Sequence, residues 1–82
     1  MLLLGQLIDV LDDNERVIIR SAHERSLTYI DDIRLSEAKT LLTKDSRTLP
    51  VNHIFSDTSE RYKGETVTII YVKSNGLLIL KE

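Results

Sequence analysis

Along the first dozen residues, apolar side chains recur three and four positions apart: Leu3, Leu4, Leu7, Ile8, Val10 and Leu11. That spacing gathers them on one face and predicts an amphipathic helix over 2–12. The pattern stops at Asp12-Asp13-Asn14, residues that favour turns. Gly5 weakens the helix by about 1 kcal/mol relative to alanine, so packing must hold it in place. Val17, Ile18 and Ile19 then form a β-branched run, which predicts a strand over 16–22. Polar residues 22–26 read as a hairpin loop, and Leu27-Thr28-Tyr29-Ile30 as a short second strand broken by Asp31-Asp32. Ile33, Leu35, Ala38, Leu41 and Leu42 return to helical spacing and predict a helix over 34–43. Ser36 or Asp32 is its expected N-cap, and Lys44 suits its C-terminal dipole.

After the polar stretch 44–49, Pro50 fits the start of a strand, because it lacks an amide hydrogen. Val51, His53 and Phe55 alternate with Asn52, Ile54 and Ser56, which predicts a third strand. Residues 57–65 are the most polar stretch and read as a surface loop. Thr66 to Lys73 is the clearest strand, and Asn75-Gly76 supplies the positive φ angles of a type I′ turn into a last strand over 77–81. The order is α-β-β-α-β-β-β. It predicts an α+β fold: one small domain over 1–82, with an antiparallel sheet and two short helices.

The last two strands raise a question. With Asn75-Gly76 at the turn, Lys73 pairs with Leu78, Val72 with Ile79 and Tyr71 with Leu80, and paired residues share a face. One face then carries Val67, Ile69, Tyr71, Leu78 and Leu80; the other carries Ile70, Val72, Leu77 and Ile79. A half-solvated sheet should alternate apolar with polar, and this hairpin does not. Either the helices cover both faces in part, or both helices lie on one face and a partner lies on the other, or the strand boundaries differ.

Composition narrows the classes. Hydrophobic residues are 41 % of the chain and charged residues 29 %, the proportions of a folded domain rather than a disordered one. With 82 residues and no cysteine, stability must come from a small core or from association with another chain. The net charge of −2 gives no general attraction to nucleic acid or to anionic membranes, so neither is an expected partner. No apolar run reaches the ~20 residues of a membrane span. MLLLGQLIDVL has no basic segment before it and acids follow at once, so it reads as part of the mature fold; a cytoplasmic location is expected, which a protein made by a phage or plasmid inside a bacterial cell would also fit.

Candidate chemistry is sparse. His23 sits in a polar loop, and His53 shares a face with Val51 and Phe55, the setting of a half-buried, hydrogen-bonded histidine. Neither is at metal-ligand spacing, and Asp12-Asp13 and Asp31-Asp32 read as solvated turn acids. No phosphate-cradling glycine loop or catalytic signature occurs, so no enzyme, cofactor or metal is expected. Arg16 and Arg20 share one face of the first strand, and Arg25 follows in the loop. Guanidinium groups grip phosphate well, so these three are candidates for a small anionic ligand such as a nucleotide at a subunit interface. Tyr62, an aromatic between Arg61 and Lys63, is a candidate contact anchor.

The segments LLLGQLIDVLDDNERVIIR, RLSEAKTLL and TVTIIYVK together resemble small accessory proteins encoded by phages and prophages of Gram-positive bacteria; SNGLLILKE lies outside that pattern. Some small phage proteins of this size block host defence systems by binding them. The resemblance implies a non-catalytic inhibitor that occludes a host enzyme or defence complex, and it transfers no site residues. The expected contact residues are Arg61, Tyr62, Lys63, Ile70, Val72, Leu77 and Ile79, and the expected partner is a host protein, a second copy, or both.

Overall fold

The computed structural model describes residues 1–24, 26–74 and 79–81. Helix α1 (Leu4–Val10) is followed by strands β1 (Arg16–Ser21) and β2 (Thr28–Arg34), and helix α2 (Leu35–Leu41) continues directly from β2. A 3-10 turn (Asp45–Thr48) leads to β3 (Val51–Thr58) and β4 (Thr66–Val72). The fold is α+β, with one four-stranded sheet in the order β2-β1-β4-β3. β1 runs antiparallel to β2 but parallel to β4, and β3 is antiparallel to β4, so the sheet is mixed rather than wholly antiparallel.

Both helices lie on one side of the sheet. Leu4, Leu7 and Ile8 of α1 and Leu35 and Ala38 of α2 pack on Val17, Ile19, Ile30, Ile70 and Val72. Each such leucine or isoleucine contributes roughly 1.5–3 kcal/mol by leaving water. Gly5 has a packing reason: a Cβ there would stand 2.9 Å from the Arg47 Cβ and 3.0 Å from its carbonyl oxygen. Only glycine lets α1 approach the 3-10 turn this closely.

Neither expected side chain caps α2. Backbone carbonyls of the preceding turn take that place, accepting from the amides of Leu35 (Glu15, 2.8 Å) and Ser36 (Asp13, 3.0 Å). Asp31-Asp32 does not end β2 either. The strand continues through a bulge, and Asp32 adopts a φ of 55°, a left-handed conformation that aspartate tolerates better than most residues.

The last strand also differs from expectation. β1 and β3 occupy both edges of β4, so β4 has no edge left for the expected last strand. Described residues of that segment instead run along the end of α2: Thr43 donates to Ile79, Lys81 donates to Leu41, and Leu80 bridges Leu42. The Asn75-Gly76 turn and Leu77 lie outside the described residues. Among the described residues, no helix is long and apolar enough to cross a membrane.

Candidate functional site: the open face of the sheet

The side of the sheet away from the helices is built by strand alternation. Cross-strand register puts Arg16, Ile18 and Arg20 of β1 beside Val67, Ile69 and Tyr71 of β4, and these beside Asp57, Phe55 and His53 of β3. At one end the loop after β3 folds over this face; at the other end the face is open.

The covered end holds a buried ion pair. Arg16 and Asp32 are only 7 % and 4 % exposed, and Arg16 Nε donates to Asp32 Oδ1 at 2.6 Å while a second guanidinium nitrogen donates to the Asp32 carbonyl at 2.7 Å. The bulge in β2 is what turns this carboxylate toward β1. Ser59 donates its hydroxyl to the other carboxylate oxygen and accepts from the Tyr62 amide, so the loop is tied to the pair it covers. The Tyr62 ring lies 3.6 Å from the Arg16 Cζ, a cation–π contact. Burial pushes the Asp32 pKa up, but hydrogen bonds from Ser59 and Arg16 and the charges of Arg16 and Arg61 outweigh it, and the carboxyl is held below its ordinary value of 3.8. For Arg16, burial works against the charge, yet Asp32 and Tyr62 prevail and its pKa is raised.

The open end is aromatic. The His53 and Phe55 rings stack with centroids 5.9 Å apart, and Phe55 meets Tyr71 edge-on at 5.7 Å. Phe55 is 52 % exposed, and Ile54, on the opposite side of β3, is 45 % exposed. β3 is thus solvated on both sides from Asn52 to Thr58. His53 is exposed rather than half-buried. A bulge between Val51 and His53 sends Val51 toward the core and leaves His53 and Phe55 together on the open face.

The expected site residues therefore divide. Arg61, Tyr62 and Lys63 are exposed on the covering loop, with Arg61 paired to Asp31 at 3.2 Å. Ile70, Val72 and Ile79, expected at a contact surface, are instead buried against the helices, at 0 %, 0 % and 5 % exposure. Leu77 and Arg25 lie outside the described residues. Arg16 is buried and paired with Asp32. Arg20 is half-buried, its Nε has no partner among the described residues, and it lines a cavity of about 210 Å³ with Asp31, Asp57, Glu60 and Arg61. Of the two candidate arginines that are described, Arg16 is thus paired with Asp32 and Arg20 lies beside acidic side chains.

Among the described residues, no group of three or more His, Asp or Glu side chains is placed to hold a metal ion. Sequence reasoning missed Phe55 and Tyr71; the available signal was that Ile54 and Phe55 put apolar side chains on both sides of an otherwise polar strand. No family model, no curated protein and no solved structure matches this chain.

Proposed function

We propose that this chain is a non-catalytic protein-binding module whose contact surface is the β3 side of the open sheet face. The observation that carries this reading is the row His53–Phe55–Tyr71 beside an edge strand solvated on both sides. Exposed aromatics on a rigid strand anchor protein contacts at small entropic cost, because they bury large apolar area with few rotatable bonds. Arg61, Lys63, Asp57 and Glu60 supply a mixed-charge rim, which gives orientation rather than affinity. If the likeness to phage accessory proteins extends to function, the bound surface belongs to a host enzyme or defence complex and the effect is steric occlusion.

Photocrosslinking in bacterial cells tests this. A photoreactive phenylalanine analogue replaces Phe55 in one variant and Val10, which is 79 % exposed on α1, in a control. A discrete protein adduct from position 55 and none from position 10 is expected. No adduct at position 55, or equal adducts at both, overturns the reading.

A further inference from the structure

We propose that β3 pairs antiparallel with β3 of a second copy of this chain, across a two-fold axis at Phe55, joining two four-stranded sheets into one continuous sheet. This rests on the reading that the β3 side is a contact surface, and it names the partner.

The edge itself is the first ground. Every second residue of a strand turns its N–H and C=O away from its neighbour, and at an edge those groups lack a strand partner. Natural edges are guarded by lysine, proline or bulges, whereas VNHIFSDT holds no lysine, arginine or proline and no bulge beyond His53.

Register supplies the second ground. The amide of Val51 donates to Leu2 at 2.8 Å, so the N-terminal segment already occupies the edge at Val51. Among the described residues, no strand pairs with the outer edge of β3 from Asn52 to Thr58, whose midpoint is Phe55. Antiparallel partners must share a sheet face, so only registers in which the two residue numbers sum to an even value are allowed. A dyad at Phe55 pairs the whole of that stretch, whereas a dyad at Ile54 collides with the segment at Val51.

Charge is the third ground. With the dyad at Phe55, the two Phe55 rings face each other and His53 of each copy lies opposite Asp57 of the other, twice. Within one copy Asn52 Nδ2 bonds His53 Nδ1, which leaves Nε2 available toward a carboxylate. Thr58 takes Asp57 Oδ1 at 2.7 Å, which leaves Oδ2 free to accept. Moving the dyad to Ile54 places His53 opposite Phe55 and Asp57 opposite Val51, and both polar matches are lost.

Native mass spectrometry and light scattering of the purified chain, from micromolar to near-millimolar, test the proposal. Wild type is expected to double in mass with rising concentration. His53→Asp sets like charges opposite at both ends, and Asp57→Lys sets a cation against His53; each is expected to raise the dissociation constant at least about tenfold, or about 1.4 kcal/mol. Mixing the two variants restores both matches, so a heterodimer is expected from two folded monomers. Circular dichroism confirms that each variant is folded. A wild type monomeric at every concentration, or a mixture that stays monomeric, overturns the pairing. If wild type is monomeric but position 55 still crosslinks to a foreign protein, the contact-surface reading survives and this inference alone falls.

Discussion

β2 and β3 both lie at a margin of the sheet, each antiparallel to a central neighbour, and the chain guards them differently. β2 carries Asp31, Asp32 and Arg34 within seven residues, is broken by a bulge opposite β1, and runs straight into α2. A third strand cannot add to it without displacing charges and straightening the bulge. β3 has eight residues, one acid near its end, and a half-exposed apolar side chain on each side. Edge protection is local chemistry, and its presence on one margin makes its absence on the other informative. The same bulge that guards β2 also aims Asp32 at Arg16, so on that side one device serves both solubility and the buried pair.

The largest effect is expected from removing that device. Asp32→Asn keeps the shape but leaves the Arg16 guanidinium buried without a counter-charge. A loss of about 2 kcal/mol in urea unfolding is expected, below the range for deeply buried pairs because asparagine can still accept a hydrogen bond. The pH dependence has a definite sign. A carboxyl whose folded pKa lies below its unfolded value stabilises the fold above about pH 4, and that contribution is lost as pH falls through the folded value. The gap between wild type and Asp32→Asn should therefore close in acid and hold steady above pH 5. A gap that widens in acid contradicts the pairing.

A smaller effect belongs to the loop that covers the pair. Tyr62→Ala removes the ring over Arg16 but leaves the backbone bond to Ser59 in place. A loss of about 1 kcal/mol is expected, and Tyr62→Phe should recover most of it, since the contact uses the ring face. If Tyr62→Ala unfolds like wild type, the loop contributes nothing to the guarded side.

These contrasts were legible in the sequence only in part. Leu4, Leu7 and Ile8 revealed α1 because helical spacing is local, and Val17 to Ile19 revealed β1 for the same reason. The parallel pairing of β1 with β4 joins residues about fifty positions apart, and period-two alternation carries no register across that distance. Alternation also separates Ile70 and Val72 from Ile69 and Tyr71 without saying which pair the helices cover. Asn75-Gly76 signals a turn but not the identity of the strand that follows. Asp31-Asp32 read as a strand end because a bulge and a break use the same residues.

The smallest effect on folding, and the sharpest on association, is expected at Phe55. Its ring is half in water, so Phe55→Lys should shift the unfolding free energy of the isolated chain by no more than about 0.5 kcal/mol. Association should respond quite differently, because the substitution sets two cations face to face at the proposed dyad and adds the edge lysine that β3 lacks. A self-associating chain gains apparent stability with concentration, since a partner binds only the folded state. The melting temperature of wild type should therefore climb with protein concentration, and that of Phe55→Lys should stay flat at the wild-type value found in dilute solution. Asp31→Lys on the guarded margin should leave the climb intact, because β2 is excluded from edge pairing by its bulge whatever its charge. Equal slopes in wild type and Phe55→Lys would mean that the two margins do not differ in the way their chemistry implies.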